Sequence, residues 1–133
     1  NRTAVRPWQH VLDPLRGYLV LAETLATSTD TIYETGFNFG PEPSEQRSVG
    51  ELVECALSHW PGSWCDMSDP NAFHEAGRLS LSIEKARSLL DWSPHWDFCN
   101  AVAATIAWYR DVDSGAEPSA LVRKQISDFG LAS

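Results

Sequence analysis

Arg6-Pro7-Trp8-Gln9-His10 is the densest polar and aromatic stretch of the chain. An Arg guanidinium is a planar fork of donors that matches phosphate oxygens, and Trp offers a flat apolar face to a ring or a sugar. The stretch therefore fits an anion and ring clamp. It fits equally an exposed Arg and a core Trp on the lead-in to a helix, which is the commoner use of both residue types. His74-Glu75, between a loop and an alternating segment, could exchange hydrogen bonds with a base or with sugar hydroxyls; two solvated polar residues is the plainer reading. Asn38 sits where a strand would end, a natural place for a ligand-facing amide or for a turn. Arg47 precedes a helix start and could meet a phosphate there, although a solvated Arg is the ordinary case.

Other chemistries lack their residues. Gly36 and Gly40 are the nearest glycine pair and do not make a dinucleotide fingerprint. No Tyr is followed four residues later by Lys, so a proton-transferring Tyr/Lys pair is missing, and there is no Gly-x-Ser-x-Gly elbow. Cys55, Cys65 and Cys99 are odd in number and lack Cys-x-x-Cys spacing, and His10, His59, His74 and His95 stand at no ligand spacing to them. They read as free thiols in a reducing, cytoplasmic compartment, with no metal site. The 133 residues carry a net charge of −8 with only Arg123-Lys124 as adjacent cations, which argues against nucleic acid as a partner. No apolar run approaches the ~20 residues of a membrane span, and no signal peptide is recognisable. The start at Asn1 rather than Met suggests a piece of a longer protein.

These residues need elements to position them. Asp13-Pro14 reads as a helix start, after which Leu15, Tyr18, Leu19, Ala22, Leu25 and Ala26 recur at helical spacing. Residues 32–39 are β-branched and aromatic and read as a strand running into the Gly40-Pro41-Glu42-Pro43 loop. Ser48 and Glu51 form a capping box before a helix with Val49, Leu52, Val53, Ala56, Leu57 and Trp60 on one face, stopped by Pro61-Gly62. Residues 63–67 read as a short strand, and Arg78 to Ser82 as a half-buried one. Ser82, Asp97 and Ser119 are read as caps of three further helices, the last ended by Gly130. The six Trp suit core packing better than a pocket. The whole is one domain, residues 1–133: a helix-rich α/β (α+β-like) fold with two or three short strands, too few for a doubly wound Rossmann sheet.

Arg6-Pro7-Trp8-Gln9-His10-Val11-Leu12-Asp13-Pro14-Leu15, then Gly17-Tyr18-Leu19, closely resembles the segment that opens the carboxy-terminal half of CDP-glucose 4,6-dehydratases, in the extended short-chain dehydrogenase/reductase superfamily. Relatives acting on dTDP-glucose and GDP-mannose carry an Arg-Asp-Trp version there. Phe37 to Pro41, Val49 with Leu52-Val53, His74-Glu75-Ala76, Leu79-x-Leu81, Lys85-Ala86, Leu89, Trp92-x-Pro94, Trp108-Tyr109 and Gln125-Ile126 are similar in the same order. The chain departs from the family at Ser82, usually Asp, at Asp91, usually Gly, and at its opening Asn1-Arg2-Thr3.

The resemblance implies a carboxy-terminal, substrate-binding part of an NAD-dependent lyase that makes the 4-keto-6-deoxy sugar nucleotide from CDP-glucose. It implies that the NAD site and the Tyr/Lys pair lie upstream, so this chain alone holds no cofactor and no catalytic residue and is inactive. Arg6, Asn38, His74 and Glu75 are implied to bind the CDP-sugar, with Trp8 and His10 shaping the pocket. A surface that a missing domain would cover implies self-association, as a homodimer or larger. The alternative is a stand-alone, non-catalytic nucleotide-sugar-binding or interaction module.

Overall fold

The computed structural model describes residues 1–69 and 76–130. Two very short strands, β1 (Val5–Arg6) and β2 (Arg47–Ser48), pair antiparallel. Among the described residues, five α-helices follow the chain: α1 (Leu12–Thr27), α2 (Val49–His59), α3 (Glu84–Leu90), α4 (Phe98–Asp113) and α5 (Pro118–Asp128). This is the helix-rich α/β fragment that the sequence suggests, with two strands in one small sheet. Among the described residues, no helix is long and apolar enough to cross a membrane.

The core forms where the extended segment after α1 meets α3. Phe39, Ile83, Ala86, Leu90 and Trp92 are buried together, with Val20, Leu21, Tyr33 and Phe37 packed against them. The Phe39 ring stands edge-on to Trp92 at 5.0 Å and to Tyr18 at 5.6 Å. Gly17 lets α1 lie on that ring: a Cβ there would sit 2.3 Å from Phe39 Cδ1. Of the six Trp, Trp92 is wholly buried, whereas Trp60 and Trp64 are exposed. A second layer packs α2 on α4, burying Phe98, Ala101 and Val102, and α5 closes on α4.

The helix ends show how local and distant forces divide. The Ser48/Glu51 capping box is present in both directions, and Asp97 caps α4 through the Asn100 amide. Gly130 takes a left-handed φ of 82° just past α5. Other expected caps differ. Asp13 does not cap α1; it lies inside the first turn, fully buried, because its carboxylate accepts the backbone amides of His95 (2.6 Å) and Trp96 (3.4 Å) and joins α1 to the entry of α4. Pro14 remains harmless there, since first-turn amides have no helical partner. Ser82 does not cap α3: buried Ile83 precedes the helix and anchors it in the core. Glu117, not Ser119, caps α5, with Pro118 at its first position. Glu117 is held below the usual carboxylate range, chiefly by the Ser119 hydroxyl and then by the Ala120 amide.

The expected strands are corrected. Residues 32–39 are not a strand; a 3-10 turn at Thr31–Tyr33 leads into extended chain. Lys85 Nζ reaches Thr35 Oγ1 (2.5 Å) and the Gly36 carbonyl (3.0 Å), so the segment is tied by a side chain and by its aromatic rings rather than by a ladder. Residues 63–67 are likewise not a strand, and of 78–82 only Arg78 forms a bridge, parallel to Val5. Leu15, Tyr18, Leu19, Ala22, Leu25 and Ala26 do recur at helical spacing, within α1. They are exposed, while Leu12, Asp13 and Gly17 face inward.

Candidate functional site

The site is built on β1. Val5 donates its amide to the Gly77 carbonyl (2.9 Å) and accepts from Leu79 N–H (3.1 Å) on one side, while β2 pairs on the other. Arg6 thus lies centrally in a narrow three-lane strip. Its Nη1 donates to the carbonyls of Val5 (2.9 Å) and Ala76 (3.1 Å). Ala76 is the first described residue after the 70–75 segment; His74 and Glu75 lie outside the described residues.

Directly opposite Arg6 in the ladder stands Arg47. Residues opposite one another in an antiparallel pair project from the same face, and like charges placed so are destabilising. Arg47 is held by the carbonyls of Ser44 (2.7 Å) and Gln46 (3.1 Å), by Glu45 at 3.7 Å and by the Phe98 ring at 5.6 Å. Sequence reasoning noticed Arg47 only as a cation near a helix start. Its partner is 41 positions away, and no local signal links the two.

The phosphate site considered at the start of α2 has no donors to offer. The amides of Val49 and Gly50 bond the carbonyls of Ala4 (2.9 Å) and Arg2 (2.8 Å), and that of Glu51 bonds Ser48 Oγ (3.2 Å). Glu51 is itself held below its usual range, first by the Ser48 amide and then by its hydroxyl. The backbone amides at this end of α2 are thus all partnered within the chain.

Trp8 and His10 continue the strip. Trp8 Nε1 donates to the Arg47 carbonyl (3.0 Å), fixing β1 to β2, and its ring lines an apolar cleft of about 390 Å³ between α2 and α4, with Leu52, Val53, Phe98 and Val102. Gln9 Nε2 donates to the Phe39 carbonyl (2.9 Å), so the strip is joined to the segment that carries Asn38. Asn38 is exposed, and its amide makes no hydrogen bond among the described residues. His10 is buried, with Nδ1 accepting the Leu12 amide (3.3 Å) and the Trp96 ring edge-on at 4.8 Å. Burial lowers its pKa, outweighing the opposite pull of the Asp13 carboxylate and the Gln125 amide. His10 and Gln125, 115 positions apart, meet here and lock α5 to the strip.

Among the described residues, no glycine-rich strand-to-helix turn stands ready to meet an NAD pyrophosphate. Gly36 and Gly40 lie on extended chain, not on a strand-to-helix turn, and Gly40 is required by packing: a Cβ there would come 3.1 Å from that of Leu81. Among the described residues, no three His, Cys, Asp or Glu side chains converge as metal ligands. Cys55, Cys65 and Cys99 are free thiols; burial raises the Cys55 pKa, and its neighbour Cys99 adds to the rise.

No family model matches the chain. It is 34% identical over 131 residues to a CDP-glucose 4,6-dehydratase of Salmonella typhimurium, an alignment that takes in 97% of this chain and 36% of that enzyme. It is 32% identical over 114 residues to a dTDP-glucose 4,6-dehydratase of Streptomyces griseus and 31% identical over 116 residues to one of Streptomyces antibioticus. Each of those alignments takes in 86% of this chain and 33% or 32% of the relative. The chain thus spans about a third of the length of the curated relatives it matches. The similarity extends over nearly the whole sequence, and the chain is similar to about a third of each of these sugar-nucleotide 4,6-dehydratases.

Proposed function

We propose that this chain is the carboxy-terminal, substrate-binding part of a CDP-glucose 4,6-dehydratase, holding the nucleotide-sugar on which the longer enzyme acts. The observation that carries the reading is the pairing of Arg6 with Arg47 across β1 and β2. The two residues stand opposite each other on one ribbon, and a guanidinium is a planar fork of donors that matches phosphate oxygens. The diphosphate of CDP-glucose supplies such oxygens. Asn38, together with His74 and Glu75, supplies polar contacts to the nucleotide and sugar. Trp8 and His10 shape the strip, Trp8 through the Arg47 carbonyl and His10 through α5.

In the whole enzyme the reaction converts CDP-glucose to CDP-4-keto-6-deoxyglucose. NAD, held by the part outside this chain, would accept and return the hydride. The residues named here bind and orient the substrate and move no proton. Calorimetric titration of the chain with CDP-glucose and CDP, against UDP and GDP, tests the proposal. Saturable, cytidine-selective binding is expected. Equal affinity for all four would remove the CDP-sugar assignment, and absent binding by a folded chain would remove the binding role itself.

A further inference from the structure

Cys55 stands in the middle of α2 and Cys99 in the first turn of α4, 44 positions later, and these two helices pack on each other. Their places on the helices bring both thiols to that joint. Leu52, one turn before Cys55, and Ala56, next to it, line the cleft between α2 and α4. Phe98, next to Cys99, and Val102, one turn after it, line the same cleft from the other side. The two thiols meet across the helix pair in a hydrogen-bonding contact. Cys99 is exposed and Cys55 half-buried, so solvent reaches the pair through Cys99. Cys65, also exposed, lines a separate hollow with Asn1, Arg2 and Trp64. Among the described residues, no third His, Cys, Asp or Glu converges on the pair to make a metal site.

We propose that Cys55 and Cys99 form a reversible disulfide that staples α2 to α4. The oxidant is a low-molecular-weight disulfide of the glutathione class. The Cys99 thiolate attacks one of its sulfurs, which breaks that disulfide, expels one glutathione thiolate and leaves a mixed disulfide on Cys99. Cys55, once deprotonated, attacks the Cys99 sulfur and expels the second glutathione thiolate. The two cysteines lose two electrons and two protons, and the small disulfide takes them up as two thiols. The order follows from access and ionisation: Cys99 is the exposed thiol, and burial raises the pKa of Cys55. A reducing thiol pool reopens the bond by the reverse exchange. The staple lies one residue from Phe98, whose ring faces the Arg47 guanidinium at 5.6 Å and whose amide bonds Glu45 (3.3 Å). It therefore locks the joint on which β2 rests.

Incubation of the chain with oxidised glutathione at low micromolar protein concentration, followed by alkylation and peptide mass mapping, tests this. One intramolecular linkage, Cys55–Cys99, is expected, with the loss of two hydrogens and with Cys65 outside it. The oxidised chain should melt about 5–10 °C above the reduced one, because a long loop is closed in the unfolded state. In urea the preference should reverse: Cys55–Cys65 closes ten residues instead of 44 and is favoured about tenfold by loop entropy. Cys55→Ser should trap glutathione on Cys99 and abolish both the linkage and the rise in Tm, whereas Cys65→Ser should change neither. A glutathione adduct that persists on Cys99 beside a free Cys55, in a chain that circular dichroism shows to be folded, would overturn the proposal. Linkage between chains, or a folded chain that pairs Cys65 instead, would overturn it as well.

Discussion

Substitution of Gly17 by Ala sets two well-characterised effects against each other. Within a helix, Ala is favoured over Gly by about 1 kcal/mol. At this position the added Cβ would stand 2.3, 2.6 and 2.6 Å from three ring carbons of Phe39, against an ordinary carbon contact of ~3.5–4.0 Å. The Phe39 ring must retreat by more than ~1 Å. It is buried and backed by Trp92, which is fully enclosed, so the retreat disturbs the centre of the core. Overpacking of this kind costs about 1–3 kcal/mol and more where an aromatic ring is dislodged. Packing wins, and Gly17→Ala should destabilise the chain by about 2 kcal/mol net, a fall in Tm of about 6 °C for a domain of this size. Urea and thermal unfolding followed by circular dichroism measure it, with Phe39→Leu and the double variant completing a cycle. In the Phe39→Leu background the same substitution should become neutral or stabilising, a coupling of about 2 kcal/mol or more. Gly17→Ala at least as stable as the parent, or a penalty undiminished by Phe39→Leu, would refute the reasoning.

Two further predictions follow from the backbone and from one buried ring. Asp91 closes α3 with φ 49° and ψ 33°, a left-handed conformation that suits Gly, the residue usual there in the resembled family. Asp91→Gly should therefore raise stability by roughly 0.5 kcal/mol, the relief of left-handed strain exceeding the flexibility gained by the unfolded chain; a lower denaturation midpoint would count against the assignment. The pKa of His10 is depressed below 6.5 in the folded chain, so between the folded and unfolded values the unfolded state binds more protons. The His10 contribution is present above 6.5 and is lost as pH falls through that value towards the folded pKa. His10→Gln should flatten the decline in unfolding free energy measured from about pH 8 to about pH 5, and an unchanged slope would show that burial of this ring is not its cause.

Elements fixed by neighbouring residues were legible in the sequence. The Ser48/Glu51 box, the Asp97 cap and the Gly130 stop each depend on groups within a few positions, and all three stand as read. Elements fixed by distant partners were not. Asp13 has the residue type of a cap, but it is claimed by amides 82 and 83 positions away. Residues 32–39 have the composition of a strand yet find no strand to pair with, and Lys85 ties them instead. Helix α1 is apolar on two sides, so periodicity alone could not choose which side faces the core; the Gly17–Phe39 approach decides it. For the candidate site, Arg6, Trp8 and His10 were legible as one strip because they are contiguous. Arg47 joined them only through strand pairing, and Asn38 only through the bond from Gln9 to its neighbour Phe39.

If Arg6 and the strip around it hold a CDP-sugar, as proposed, removing the Arg6 guanidinium must weaken binding. Isothermal titration of the parent chain and of Arg6→Ala with CDP-glucose, at matched folding by circular dichroism, tests it most directly. The expected result is saturable binding by the parent and a loss of about 1–3 kcal/mol, roughly five- to 150-fold in affinity, in the variant, the range for removal of a charged hydrogen bond. Equal affinity in the two chains, or a folded parent that takes up no CDP-glucose, would contradict it.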